Sequence, residues 1–239
     1  MAEPRRRIRS LLSSFGCLTT GQIYQLLGIP RQWNPDDSRQ RGIRCVLRRG
    51  EVSKPAAWHR GDVFKGRRHG RPQIEAVYWL DGRERRPSSL AHDVALSEVH
   101  LAYAGSLWQE HSLGHGGINP DALLYLPSYF YFVELERQRN SFKKKYSCIN
   151  KARRYLEYKK HGNFSRHHPH MMDFYVLFIF AEDTEMRDSA DEIRDNALHQ
   201  FERQGLNFGR FKLATLEDVV ENPHGPVWRS PNGTITAIP

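Results

Sequence analysis

Three acidic residues in the middle of the chain have the types and the spacing of a metal-dependent site. Asp121 follows Pro120, and Glu134 and Glu136 lie two apart in the aromatic segment 129–136. Alternate residues of a strand share a face, so the two glutamates should point the same way from a buried strand. Buried carboxylates are costly unless a cation lies between them, and Mg²⁺ prefers oxygen ligands. Asp121, Glu134 and Glu136 are therefore candidate magnesium ligands and candidate catalytic residues.

The elements that must position these acids can be read from the apolar pattern. Residues 122–126 predict one strand, Pro127 and Ser128 a turn, and residues 129–136 a second strand. A basic helix with an apolar stripe follows, then a buried strand at 174–180, a helix at 191–204 and a last strand at 211–214. This alternation of strands and helices indicates an α/β sheet with some parallel pairing.

A Pro-Asp pair, a strand-length gap and an acidic pair resemble the PD-(D/E)XK nuclease core. The resemblance implies that Asp121 and Glu134 bind metal and that the third position is normally Lys, where this chain has Glu136. Some restriction endonucleases carry Glu there and still cut. The missing cation would then come from Lys143, Lys144 or Lys145, and Lys145 is the candidate catalytic lysine.

The basic charge of the chain is concentrated in its first third. Residues 1–90 contain 19 Lys and Arg against 8 Asp and Glu, whereas the remainder contains 17 against 19. An even spread would be ordinary solubility charge. This asymmetry indicates a polyanionic partner for the N-terminal part.

Three short helices are predicted in that basic region. The first covers residues 5–15, and the second begins at a capping box from Thr19 to Gln22 and ends at Gly28. The third runs from the acidic start at residues 35–38 to about residue 49. One side of it carries Arg41, Arg44 and Arg48, which suits a recognition helix in the major groove, and Arg39 is a further candidate DNA-binding residue.

A two-stranded wing is predicted after the third helix. Residues 51–58 and 74–80 have strand composition, and residues 65–71 form a basic loop punctuated by glycine. The loop supplies four further candidate DNA contacts: Lys65, Arg67, Arg68 and Arg71. The alternative is a short helical domain whose arginines are only solvated.

Several short motifs are similar to those of the plasmid replication-relaxation family. They are residues 18–27, Ala91-His92-Asp93-Val94, Pro120-Asp121, Glu134-Leu135-Glu136-Arg137, Lys145-Tyr146 with Tyr155 and Tyr158, and the segments 214–218 and 225–229. The resemblance implies an N-terminal winged helix-turn-helix domain (residues 1–84) and a PD-(D/E)XK nuclease-like α/β domain (residues 90–239), an α+β or α/β fold overall. It also implies duplex DNA as the partner, in plasmid or mobile-element replication or maintenance.

Two functions from different classes remain open. One is a DNA-binding protein whose second domain does not cut; the other is a Mg²⁺-dependent endonuclease or nickase targeted by the winged helix. A homodimer is also left open. The sequence has no apolar run of about 18 residues and no signal segment, which predicts no membrane partner. Its three widely spaced cysteines are typical of the reducing cytoplasm.

Overall fold

Two β-sheets organise the chain in the computed structural model, which describes residues 2–31, 34, 36–51, 59–68, 71–80, 87–104, 106–110, 117–126, 129–137, 147–182 and 189–238. A three-stranded sheet lies in the unit Met1–Glu98, and a seven-stranded sheet lies in the unit Val99–Pro239. Helices accompany both sheets, so the architecture is mixed α+β. In these ranges no helix is both long enough and apolar enough to cross a membrane.

The first unit places three helices around its small sheet. Its elements are α1 (Ala2–Phe15), β1 (Cys17–Thr19), α2 (Thr20–Leu26), α3 (Ser38–Glu51), β2 (His59–Arg68), β3 (Arg71–Trp79) and the larger part of α4 (Pro87–Ala102). The strand order is β1-β3-β2, and both pairings are antiparallel. The strand β1 was not predicted from the sequence.

Local signals in the sequence fix where these helices begin. The capping box predicted for α2 is confirmed, because the Thr19 side chain accepts from the Gln22 backbone and the Gln22 side chain accepts from Thr19 N. Asp37 does the same for α3, accepting from Arg39 N at 2.8 Å and from Gln40 N at 3.3 Å. Such side-chain acceptors satisfy backbone N–H groups that a helix start leaves without partners.

The helix α4 is tied to the first unit by its buried side. Leu90 and Val94 pack with Cys17 and Val77. Ser97 Oγ donates to the backbone oxygen of Cys17 at 2.9 Å. These contacts are consistent with a first unit that extends to Glu98.

The hairpin differs from its predicted boundaries. The predicted strand at residues 51–58 is wrong at its start, since Glu51 ends α3; residues 52–58 lie outside the described residues, and β2 begins at His59. The predicted basic loop is also wrong, because paired strand continues to Arg68 and resumes at Arg71. Strand pairing uses backbone groups, so basic side chains do not prevent it.

The second unit is built on the larger sheet. Its elements are β4 (Leu107–Glu110), β5 (Ala122–Leu126), β6 (Tyr129–Glu136), α5 (Cys148–Lys160), α6 (Asn163–His167), β7 (Phe174–Phe180), α7 (Ala190–Arg203), β8 (Phe211–Thr215), α8 (Leu216–Glu221), β9 (Trp228–Arg229) and β10 (Ile235–Thr236). The order is β10-β9-β8-β7-β6-β5-β4, with β6, β7 and β8 parallel and the other pairings antiparallel. The predicted strands at 122–126, 129–136, 174–180 and 211–214 are confirmed.

One face of this sheet carries the main core. Phe130 and Phe132 of β6 pack in one cluster with Ile149 and Tyr155 of α5 and with residues of α7. The parallel register pairs Glu134 with Phe178, so the acidic end of β6 lies beside the apolar β7. The aromatic strand thus directs its two glutamates toward α5.

Replacing Gln22 tests how tightly α2 and α4 are joined. Its side chain is fully buried, accepts from Thr19 N at 2.7 Å and donates to Val94 O at 3.3 Å. Gln22→Ala leaves both groups unsatisfied, and we expect it to lower the free energy of unfolding by about 2–4 kcal/mol in urea titrations. The exposed Gln25→Ala should change it by less than about 0.5 kcal/mol. Equal effects would contradict this role of Gln22.

Candidate functional site

The three candidate acids come together at the carboxyl end of β6. Glu134 and Glu136 are 1% and 5% exposed and lie on the face that packs against α5. Asp121 immediately precedes the neighbouring strand β5, and its Oδ2 accepts from Leu135 N at 2.8 Å. Ligand sites in such sheets commonly form where parallel strands end. The backbone of two adjacent strands therefore holds all three carboxylates in place.

A lysine from α5 lies among these carboxylates. Lys151 Nζ is 2.6 Å from Glu134 Oε2, 2.9 Å from Glu136 Oε1 and 3.9 Å from Asp121 Oδ2. One turn later on the same helix, the Tyr155 hydroxyl donates to Glu134 Oε1 at 2.6 Å. Both oxygens of Glu134 are thus engaged. We call Asp121, Glu134, Glu136 and Lys151 the acid–lysine cluster.

Burial and charge shift the protonation of this cluster. Burial raises the pKa of Glu134 to about 7, with the charge of Asp121 adding to the rise and Lys151 opposing it. Burial by itself would lower the pKa of Lys151, but Glu134, Glu136 and Asp121 together raise it well above the ordinary value. Lys151 therefore stays protonated at neutral pH, while Glu134 titrates close to neutrality.

The cation of the cluster differs from the one inferred from the sequence. Lys143, Lys144 and Lys145, the last being the candidate catalytic lysine, lie outside the described residues, and α5 begins after them at Cys148. Lys151 and Tyr155 were missed as site residues, because the sequence places Lys151 among the basic residues around the apolar stripe and Tyr155 within that stripe. Their spacing of four residues, with Ile149 and Ala152 buried nearby, places both on the sheet-facing side.

The cluster has oxygen donors of the kind that Mg²⁺ prefers. In the described part of the chain, however, no three His, Cys, Asp or Glu side chains are grouped so that they could hold a metal ion. The ammonium of Lys151 lies between the carboxylates and supplies the compensating charge. The oxygens of Asp121, Glu134 and Glu136 are of the type that binds Mg²⁺, but in this structure the ammonium of Lys151 takes the position of a cation between them.

A second group of candidate residues lies on α3. Arg41, Arg44 and Arg48 are exposed, whereas Ile43 and Leu47 of the same helix are buried in the core of the first unit. Arg39 is also exposed, and its guanidinium pairs with Asp37 at 3.2 Å. The helix therefore presents one apolar side to the core and one cationic side to solvent.

The other four candidate DNA contacts lie on the hairpin. Lys65, Arg67 and Arg68 belong to β2 and Arg71 belongs to β3. Arg67 pairs with Pro72 and Arg68 with Arg71 across the strands, after a shift of register that follows Phe64. The four basic residues thus cluster at the closed end of the hairpin, on strands and not in a loop.

Comparison with known proteins adds no relative. The chain matches no family model, no curated protein and no solved structure.

The raised pKa of Glu134 gives a pH dependence with a definite sign. Between about pH 4.5 and pH 7 the folded state binds a proton on Glu134 that the unfolded state has released. This bound proton stabilises the folded state, and the stabilisation is lost as the pH rises. We expect the free energy of unfolding of the wild type to fall across that range relative to Glu134→Gln, which lacks the titrating group. Urea titrations at pH 4.5, 5.5, 6.5 and 7.5 measure this difference. Parallel curves for the two proteins would contradict the raised pKa.

Proposed function

We propose that the first unit binds duplex DNA as a winged helix-turn-helix domain. The observation that carries this proposal is the set of three exposed arginines, Arg41, Arg44 and Arg48, on the solvent side of α3. The element order α1-β1-α2-α3-β2-β3 and the sheet order β1-β3-β2 support it. We propose that the chain serves plasmid or mobile-element replication or maintenance, in line with the motifs it shares with the replication-relaxation family.

The dimensions and the chemistry of α3 suit the major groove, which admits one α-helix. Arginines spaced three and four residues apart lie along one side of a helix and reach the groove together. A guanidinium can pair with phosphate or make two hydrogen bonds to a guanine edge. The basic end of the β2–β3 hairpin would contact the phosphate backbone beside the groove, as positively charged wings do.

Titration of a fluorescently labelled 30-base-pair duplex with the full chain, followed by anisotropy, tests this proposal. We expect saturable binding at low salt that weakens steeply as salt is added, because phosphate contacts release counterions. An absence of binding at about 50 mM salt would contradict the proposal. So would an affinity that does not change with salt.

We propose a second candidate function, Mg²⁺-dependent cleavage or nicking of DNA, because of the acid–lysine cluster. Four charged groups from β5, β6 and α5 converge at the end of a strand, where a purely structural core would carry apolar side chains. The departure from the PD-(D/E)XK pattern at Glu136 then has a physical explanation, since Lys151 supplies from the helix the cation that the strand lacks.

The roles of the individual groups follow from their contacts. Asp121, Glu134 and Glu136 would hold Mg²⁺, which when bound activates water and stabilises the charge that develops at the phosphate. Tyr155 orients Glu134 through the hydrogen bond to its Oε1. Lys151 would turn from the carboxylates toward the phosphate and neutralise part of its charge. The exposed fraction of its side chain, 19%, gives it a path toward solvent.

Incubation of supercoiled plasmid with the full chain and Mg²⁺ tests this second function. We expect nicked or linear product from the wild type and none from Glu134→Gln, because that variant loses a metal ligand while remaining nearly the same size. The matched control Glu157→Gln alters an exposed glutamate on α5 and should cut like the wild type. If the wild type leaves the plasmid intact, the chain binds DNA without cutting it and the second function is wrong.

A further inference from the structure

A cavity of about 550 Å³ lies in the first unit, between the start of α1, the end of α2 and one side of α3. Most of its wall is apolar: Ile29 and Ile43 are buried, and Leu27 and Val46 are half-buried. Cavities that bind small molecules have volumes of about 300–1,000 Å³ and apolar walls with a few well-placed polar groups. The volume and the wall of this cavity are of that kind.

The charged groups beside the cavity are mainly cationic. Arg7, Arg39 and Arg49 contribute to its lining and are exposed, against a single acid, Glu3. Glu3 pairs with Arg6 at 3.6 Å and Arg39 pairs with Asp37 at 3.2 Å, so part of the charge of each is already compensated. Within the described ranges Arg7 forms no ion pair, and its guanidinium is available to an external anion. Guanidinium groups bind carboxylates through two parallel hydrogen bonds.

Arg41, Arg44 and Arg48 of α3 do not line the cavity, whereas Arg39 and Arg49 of the same helix do. Gly42, Val46 and Arg49 recur at spacings of four and three residues and face the cavity. Since each residue turns a helix by 100°, Arg44 and Arg48 project to the other side. Gly42 can therefore be changed without replacing Arg41, Arg44 or Arg48.

We propose that this cavity binds a small amphipathic carboxylate, with an apolar body inside and a carboxylate group held by arginine at the mouth. Eleven residues line the cavity, whereas a stable protein interface uses about 20–30 residues on each side. The site is thus of the size for a small molecule and too small for a folded partner. The net positive charge of the mouth selects an acid over a neutral or cationic compound.

Isothermal titration of the full chain with 2-naphthoate tests this site, with 2-naphthylmethanol as the neutral comparison. We expect one saturable site per chain for naphthoate and binding at least about tenfold weaker for the alcohol, which cannot form the charge-assisted hydrogen bonds. Arg7→Gln should weaken naphthoate binding and leave the alcohol unchanged. The matched control Arg9→Gln changes another exposed arginine of α1, which does not line the cavity, and should bind naphthoate like the wild type.

Filling the cavity gives an independent test. A Cβ at Gly42 would meet no other atom within 4 Å, so a side chain can start there without a clash and extend into the cavity. Gly42→Leu should abolish naphthoate binding and keep or raise the melting temperature, because leucine favours the helix more than glycine does. If Gly42→Leu left naphthoate binding unchanged, the ligand would bind elsewhere and the proposal would be wrong.

The exposed thiol of Cys45 reports on occupancy directly. Cys45 lines the cavity and is exposed, whereas Cys17 and Cys148 are buried. We expect naphthoate to slow the alkylation of Cys45 by iodoacetamide at the concentrations that saturate the calorimetric signal. No saturable binding up to millimolar naphthoate would overturn the proposal. The proposal would also be wrong if the wild type were a dimer and Gly42→Leu a monomer, because the cavity would then be an interface between copies.

Discussion

We expect Lys151→Met to lower the free energy of unfolding by about 3–5 kcal/mol at pH 8, the cost of leaving buried carboxylates without their cation. Glu134 and Glu136 are almost fully buried, and Lys151 contacts both within 3 Å. Methionine keeps the length and the apolar stem of lysine but removes the charge. Urea titrations of the full chain measure the loss.

The pH at which this loss occurs separates charge from packing. Because the pKa of Glu134 is raised to about 7, this carboxylate takes up a proton as the pH falls below that value, and the destabilisation by Lys151→Met should shrink. The double variant Lys151→Met, Glu134→Gln should recover part of the loss at pH 8, because one uncompensated charge has been removed.

The matched control for this change is Lys160→Met on the same helix. The side chain of Lys160 is 71% exposed and pairs with Glu157 at 3.8 Å, a contact worth at most about 1 kcal/mol. Lys151→Met could lower the free energy of unfolding no more than Lys160→Met does, or by an amount that does not depend on pH. Either result would contradict the acid–lysine cluster. Lys151 would then be an ordinary surface lysine of α5.

We expect the triple change of Arg41, Arg44 and Arg48 to Gln to weaken binding of duplex DNA by about 100-fold or more, since each such arginine is worth about 1–3 kcal/mol in a specific complex. The three side chains are exposed, but Arg44 also hydrogen-bonds to the buried Tyr24, so the fold of the variant has to be checked. Anisotropy titrations at one fixed salt concentration measure the loss, and circular dichroism checks the fold.

A control with the same change of net charge is available on α1. Arg5, Arg6 and Arg9 are exposed residues of the same unit, outside the proposed recognition surface. Their triple change to Gln should weaken binding far less. Equal losses from the two triple variants would mean that the chain attracts DNA by diffuse charge and that α3 does not dock in a groove.

Much of the fold follows from local signals in the sequence. The capping box at Thr19 and Gln22 and the acidic start of α3 specify helix ends, because they satisfy backbone groups within one turn. The strand β6 was predictable from its aromatic run, and the shared face of Glu134 and Glu136 from the two-residue period of a strand. The meeting of Asp121 with this pair followed from the adjacency of β5 and β6.

What the sequence did not reveal depends on contacts between distant residues. The strand β1 is only three residues long and exists because it pairs with β3, some 60 residues later. Lys151 was not distinguishable from the other lysines of its segment, since its role arises from the crossing of α5 over β6. The loop predicted at residues 65–71 was wrong because pairing with β3, and not composition, extends β2 to Arg68.

The most direct test of DNA binding by α3 is the slope of log K against log salt for the wild type beside the Arg41, Arg44 and Arg48 triple variant. Each phosphate contact contributes about 0.9 to this slope, so three lost contacts should make it shallower by up to about 2.7. We predict a steep slope for the wild type and a slope shallower by about two to three units for the triple variant. Identical slopes for the two proteins would contradict the assignment of α3 as the DNA-binding helix.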